Sequence, residues 1–184
     1  MNTLVPVFLL ILLVLPGCNS GTNNPADIND TELNIHIDNG LCPSSQTIAL
    51  DAIEIINQLR ATGRQCGSDF YPAAAPVAWN ELLGNVAKSH SNDMATYNFF
   101  DHSGSDGLTP GQRLNNAGYE WKTYGENISA GSTSIQMTIE GLIDSPDHCT
   151  NIMNPAFTEM GMACSYNEAS DYNIYWTQVF ATQK

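Results

Sequence analysis

TEMGMACSYNEASDYNIYWTQVFAT, residues 158–182, contains two strand-like runs separated by a polar segment. The two runs are residues 158–166 and 172–182, and residues 167–171 between them are polar or small. Short runs of apolar and aromatic residues on either side of turn-forming residues are typical of a hairpin. The pattern therefore predicts an antiparallel β-hairpin near the end of the chain.

Helical spacing of apolar residues dominates the sequence before this hairpin. The predicted helices cover residues 46–61, a segment capped by Asn80 that ends before Asp101, a short segment from Pro110 to Gly118, and residues 134–144. Residues 119–124 predict another strand, and the alternation of Leu33, Ile35 and Ile37 with polar residues allows a brief strand or an extended segment that lies on the domain. Because helices come first and strands mostly late, the expected fold class is α+β, with a mainly antiparallel sheet covered by helices.

The first 17 residues predict a signal peptide. Residues 5–15 are almost entirely aliphatic, too short for the roughly 20 residues of a spanning helix, and they lead into Leu15-Pro16-Gly17-Cys18. This ending resembles the lipobox of bacterial lipoprotein precursors, which makes Cys18 the expected lipidation site and the membrane anchor. Asn19 after the lipidated cysteine favours the outer membrane under the rule for enteric bacteria.

The rest of the chain divides into a tether and one domain. Residues 18–44 are polar and short of apolar residues, as expected of a tether, and residues 45–184 are long enough for a single folded domain. The formal net charge is −13, with only six basic residues. Nucleic acid is therefore excluded as a partner, because phosphate binding requires a basic surface.

Cysteine content agrees with export. Apart from Cys18 the chain has four cysteines, an even number that suits two disulfides in an oxidising compartment. Three connectivities are possible. The expected pairs are Cys42 with Cys66 and Cys149 with Cys164, because both close short local loops.

Eight short motifs follow one another in the region from residue 47 to residue 182. They are Phe100-Asp101-His102-Ser103-Gly104, Gly107-Leu108-Thr109-Pro110, Gly118-Tyr119, Gly125-Glu126-Asn127-Ile128, Ser145-Pro146-Asp147-His148, Asn151-Ile152-Met153, Phe157-Thr158-Glu159-Met160-Gly161 and Tyr175-Trp176-Thr177-Gln178. This order resembles bacterial members of the CAP superfamily, which includes cysteine-rich secretory proteins, antigen 5 and plant pathogenesis-related proteins. The resemblance implies an α-β-α sandwich.

The resemblance also implies a cleft, which in many eukaryotic relatives carries two His and two Glu. His102 and Glu126 match the first of each. Ser145 stands where those relatives have the other Glu, and Tyr175 stands where they have the other His. His148 is expected to substitute in part, since it follows the same helix as Ser145.

Individual side chains in this region have alternative roles. Glu126 is expected either to face the cleft or to fix its loop by accepting backbone N–H groups. His90 falls in the apolar stripe of the second helix and is expected to be a core histidine. His102, His148 and Glu126 together offer the donor types of a zinc site with an open position for water.

Two function classes follow from these observations. The favoured one is a lipid-anchored, non-enzymatic binding module of the cell envelope, whose cleft receives an apolar molecule, an envelope polymer or a protein. The alternative is a zinc-dependent hydrolase or protease of the envelope. No His-Glu-x-x-His helix signature supports the second class.

Overall fold

The computed structural model describes residues 37–38 and 42–184. The predicted signal peptide, Cys18 and most of the predicted tether lie outside these residues, so the lipid anchor stays a prediction. Within the described ranges, every helix is too short or too polar to cross a membrane.

Five helices are present in the described part of the chain. They are α1 (Ser45–Arg60), α2 (Glu81–Tyr97), α3 (Pro110–Asn116), α4 (Ile135–Asp144) and α5 (Pro146–Met153). The sequence predicted the first four, and their capping residues explain where three of them begin. The side chains of Ser44, Asn80 and Ser134 accept backbone N–H groups at the starts of α1, α2 and α4. α5 was not predicted as a helix.

Four strands form the central sheet: β5 (Ala78–Trp79), β6 (Trp121–Ala130), β7 (Glu159–Tyr166) and β8 (Ile174–Gln183). Their order across the sheet is β5-β7-β8-β6. β7 and β8 are the predicted antiparallel hairpin, and β6 pairs antiparallel with β8. Only the short β5 runs parallel to its neighbour. The mainly antiparallel sheet is therefore confirmed.

Two small ribbons lie beside the central sheet. β1 (Ile37–Asp38) pairs with β2 (Cys42–Pro43), and β3 (Arg64–Cys66) pairs with β4 (Asp69–Tyr71). The second ribbon was not predicted, because its three-residue strands are too short to show a period in the sequence.

Alternate residues of β7 pack against different helices. Met160 and Met162 share a core cluster with Ile48 of α1 and Ile139 of α4. Ala163 shares a second cluster with Leu83 of α2. Because successive side chains of a strand point to opposite faces, the helices cover both sides of the sheet. The predicted α-β-α sandwich is confirmed.

The contact between α2 and β7 is close enough to require glycine. A Cβ atom at Gly161 would lie 2.1 Å from the backbone nitrogen of Gly84 and 2.3 Å from the carbonyl carbon of Leu83. No side chain fits there without moving the helix. This contact fixes the height of α2 above the sheet, and α2 leads into the loop that carries His102.

Both disulfides join distant parts of the chain. Cys42 bonds Cys164, and Cys66 bonds Cys149, with sequence separations of 122 and 83 residues. The predicted pairs Cys42 with Cys66 and Cys149 with Cys164 are therefore wrong. The local-loop argument failed because tertiary packing places β2 beside β7 and β3 beside α5. The first bond also attaches residue 42, inside the predicted tether, to the sheet.

Arg60 is a fully buried cation at the end of α1, with 0% of its surface exposed. Its guanidinium donates to the carbonyl oxygens of Ala75, Ile152, Asn154 and Phe157 at 2.7 to 3.3 Å. Burial lowers the pKa of Arg60. The Arg60 side chain therefore links α1 to the loop before β5, to the end of α5 and to the loop before β7.

Candidate functional site

Glu126 is the centre of the site. It lies in the middle of β6, and only 2% of its side chain is exposed. Its Oε1 accepts a hydrogen bond from His102 Nδ1 at 2.8 Å, and its Oε2 accepts one from an Arg113 terminal nitrogen at 2.6 Å. A buried carboxylate needs such partners because desolvation of an unpaired charge is costly. The predicted pair of His102 and Glu126 is brought together.

The loop after α2 delivers His102 to this carboxylate. Nε2 of His90 donates to the carbonyl oxygen of Asp101 at 3.0 Å, and the Asp101 carboxylate accepts the N–H of Ser103. That backbone hydrogen bond lowers the pKa of Asp101. The Arg113 guanidinium also donates to the carbonyl oxygen of His102 at 2.9 Å. The backbone carbonyl groups before and after the His102 side chain, those of Asp101 and His102, are therefore both held by hydrogen bonds.

Arg113 was missed by the sequence analysis. It lies in α3, a helix that begins at Pro110 and whose Gln112 side chain accepts the N–H of Thr109 at 2.9 Å. It is the only Lys or Arg between Lys88 and Lys122. This isolation was the feature of the sequence that could have indicated its role, because a buried glutamate nearby needs a cation as its partner.

His90 is buried as predicted, with 0% of its side chain exposed. Its Nε2 also lies 3.9 Å from Oε1 of Glu126, so this core histidine forms the back wall of the site. Burial lowers the pKa of His90, and the charge of Arg113 lowers it further, while Glu126 opposes both. His90 is therefore neutral at pH 7.

The pKa values of His102 and His148 are shifted in opposite directions. The hydrogen bond with Glu126 raises the pKa of His102, whose side chain is 51% exposed. Burial lowers the pKa of His148, and the positive charge of His102 lowers it further. The two histidines are thus electrostatic neighbours, and only His102 gains a proton readily.

Comparison with known proteins identifies the family of the chain. Residues 53–180 match the sequence profile of the Cysteine-rich secretory protein family, CAP. The chain belongs to this family. The CAP region includes every residue of the site, from His90 to His148.

Bacterial proteins are among the relatives of this CAP domain. YkwD of Bacillus subtilis, a protein of uncharacterised function, is 33% identical over 105 residues, which cover 57% of this chain and 39% of that protein. The chain therefore spans well under half the length of this curated relative. An extracellular SCP-domain protein of Bacillus anthracis aligns with a TM-score of 0.62 and 25% identity, over 76% of this chain and 41% of the other.

A second solved structure shows the same fold at lower sequence similarity. An outer surface protein of Borrelia burgdorferi aligns with a TM-score of 0.60 and 15% identity, over 79% of this chain and 99% of the other. At this identity the likeness concerns the fold alone.

Ser145 and His148 lie at the start of α5. Ser145 is the single residue between α4 and α5, where Pro146 starts the new helix. The side-chain amide of Asn127, next to Glu126 in β6, donates to the carbonyl oxygen of His148 at 3.2 Å. α5 thereby holds His148 beside the strand that carries Glu126.

Tyr175 lies away from the cleft. It pairs with Ala130 across β6 and β8, whereas Glu126 pairs with Val179, so four residues of strand, or about 13 Å, separate the two positions. The Tyr175 side chain is fully buried, and its hydroxyl lies 3.3 Å from Oδ1 of Asn98. The prediction of a cleft position for Tyr175 is corrected: the aromatic ring that replaces the family's histidine packs in the core.

The three predicted zinc ligands do not fit as a set of direct ligands. Both oxygens of Glu126 already accept hydrogen bonds from His102 and Arg113. In the described ranges, no group of three or more His, Cys, Asp or Glu is arranged to hold a metal ion. Glu126 instead occupies the position of a carboxylate that orients an imidazole through Nδ1.

Proposed function

We propose that this chain is a lipid-anchored, extracytoplasmic CAP-domain protein whose cleft binds a ligand without transforming it. The observation that carries the proposal is the state of Glu126. Because this carboxylate is buried and accepts hydrogen bonds from both Arg113 and His102, it holds the cleft in shape and its charge is balanced by these two partners.

The export part of the proposal rests on separate observations. The two disulfides suit an oxidising compartment, and Cys18 follows a lipobox-like sequence. The two solved relatives are described as an extracellular protein and an outer surface protein. These observations support a location outside the cytoplasm, with the membrane as a partner through the lipid on Cys18.

The hydrogen bonding of His102 indicates what the ligand presents. Nδ1 binds Glu126, and Nε2 makes no hydrogen bond within the described residues, although half of the side chain is exposed. In the protonated form of His102, which the raised pKa favours, Nε2–H is a donor, whereas in the neutral form with the proton on Nδ1 the Nε2 atom is an acceptor. For the protonated form, the ligand group at this position is an acceptor, such as a carboxylate or carbonyl oxygen, whether on an apolar molecule, an envelope polymer or a protein.

The binding proposal can be tested with two acceptor-bearing probes. Octanoate stands for an apolar carboxylate, and a disaccharide-tetrapeptide from cell wall stands for an envelope polymer. Calorimetry with the full chain should detect binding of at least one probe. His102→Ala and Glu126→Ala should each weaken that binding by about tenfold.

Gln136→Ala provides the matched control, because Gln136 is exposed on α4 and bonds only Glu140. It should leave the affinity unchanged. If neither cleft variant alters the binding of either probe, the proposal is wrong.

A zinc hydrolase of the envelope is the second candidate. The observation that favours it is that His148 lies near enough to His102 for the charge of His102 to lower the pKa of His148. These two imidazoles would be the metal's protein donors, with Glu126 orienting His102. Bound zinc would supply Lewis-acid activation of water. Purified protein that contains no zinc and whose properties do not change with chelator would remove this candidate.

A further inference from the structure

A concave surface lies between α2 and α3, and we call it the α2–α3 groove. It has a volume of about 690 Å³, within the range of roughly 300–1,000 Å³ for small-molecule sites. His90 and Arg113 line it, but His102 and His148 do not. The groove is therefore a separate surface that shares only its back wall with the CAP cleft.

One wall of the groove is an uncharged polar stripe of α2. Asn85, Ser89, Asn92 and Thr96 recur at helical spacing, are all exposed and all line the groove. Their side chains make no hydrogen bond within the described residues. Amides and hydroxyls both donate and accept, so this stripe suits a ligand that does the same.

The rim of the groove defines the charge and shape of the ligand. Asp93 and Asp106 both line it, and the chain has a net charge of −13, so anionic ligands are repelled. Tyr97 at the end of α2 also lines the groove and is 67% exposed. An aromatic ring in this position offers an apolar face for the C–H groups of a ring-shaped ligand.

We propose that the α2–α3 groove binds an uncharged oligosaccharide. Sugar hydroxyls pair with the amide and hydroxyl stripe of α2. A sugar ring packs on Tyr97, and the two aspartates reject acidic sugars. This site is distinct from the CAP cleft and does not depend on the ligand of that cleft.

The test uses the full chain, labelled with ¹⁵N, and two neutral probes: the β-1,4-linked N-acetylglucosamine tetramer and cellotetraose. At least one probe should shift the amide resonances of α2 and α3 in a saturable way. An acidic tetramer of galacturonic acid should bind at least tenfold more weakly.

Two variants place the sugar in the groove. Ser89→Trp fills the groove from an exposed position and should reduce affinity at least tenfold, while Asn92→Ala should reduce it severalfold. Gln136→Trp adds the same side chain on an exposed part of α4 and should have no effect.

Three results would overturn the proposal: no shifts with either neutral probe at about 10 mM, equal binding by Ser89→Trp and Gln136→Trp, or shifts confined to residues around His102. The last result would assign the sugar to the CAP cleft.

Discussion

Glu126 is a buried acidic residue in β6, an edge strand of the central sheet, and its environment explains most of the site. Its two hydrogen-bond partners come from different elements: Arg113 from α3 and His102 from the loop after α2. Removing one partner of a buried pair is worse than removing both, because the remaining charge stays desolvated.

We therefore expect Arg113→Gln to lower the free energy of unfolding by about 3–5 kcal/mol. Only 10% of the Arg113 side chain and 2% of the Glu126 side chain are exposed, so solvent cannot replace the lost interaction. Urea denaturation measures the effect. Lys122→Gln, at an exposed position of β6, is the control and should change stability by less than about 0.5 kcal/mol.

Adding Glu126→Gln to Arg113→Gln should recover part of the lost stability, because the double variant has no unpaired buried charge. If the two single effects simply add, the two side chains are not coupled and the account of the site is wrong.

The raised pKa of His102 gives stability a specific pH dependence. The folded state binds this proton more tightly than the unfolded state, whose pKa is about 6.5. The stabilisation is therefore full below about pH 6.5 and is lost as the pH rises through the folded-state pKa. The stability difference between wild type and His102→Gln should therefore become smaller as the pH increases. Urea denaturation between about pH 5 and about pH 9 measures this difference.

His148→Gln should show the opposite trend. The pKa of His148 is lowered in the fold, so wild type loses stability relative to this variant as the pH falls below about 6.5. A pH-independent difference between wild type and His102→Gln would contradict the assigned contact with Glu126.

At the scale of elements, the position of α2 depends on its contact with β7. Gly161→Ala introduces a Cβ atom 2.1 Å from the Gly84 nitrogen, which α2 can relieve only by moving off the sheet. We expect a loss of about 3 kcal/mol or more in unfolding free energy, the upper end for overpacking. Thermal unfolding followed by circular dichroism measures it.

Gly141→Ala is the matched control for this element. Gly141 lies in α4, and nothing lies within 4 Å of an added Cβ. Because alanine favours the helix, this variant should be more stable by up to about 1 kcal/mol. Equal effects at the two glycines would show that the contact between α2 and β7 is not tight.

The elements also show where periodicity is informative and where it is not. α1, α2, α4 and the β7–β8 hairpin were predicted because each repeats its apolar pattern over eight or more residues. β6 runs from Trp121 to Ala130, beyond the predicted end at residue 124, so the Gly-Glu-Asn-Ile motif is buried strand and not a loop. A buried glutamate in a strand breaks the usual alternation, and only its partners make it tolerable.

At the scale of the whole molecule, one disulfide joins β2 to strand β7 of the central sheet and the other joins β3 to α5. Each closes a loop of more than 80 residues, so each is expected to stabilise the fold by about 2–5 kcal/mol. Replacing Cys66 and Cys149 together by serine should lower the unfolding free energy by that amount. Urea denaturation of the oxidised protein checks it.

Peptide mapping without reduction provides an independent measurement of the connectivity. It should recover fragments that link Cys42 to Cys164 and Cys66 to Cys149. Fragments that link Cys42 to Cys66 would contradict the described packing of β2 and β3.

The sequence by itself determined the fold class, the main helices, the hairpin and the family motifs, because these depend on local periods and short-range signals. It also indicated that His102 and Glu126 share a site. Only the tertiary structure decided that Arg113 and His90 complete it, that Tyr175 lies in the core, and how the cysteines pair. Those outcomes depend on which residues distant in sequence meet across the sheet, and this is set by the packing of α2, α3 and α5 on the strands and not by any local pattern.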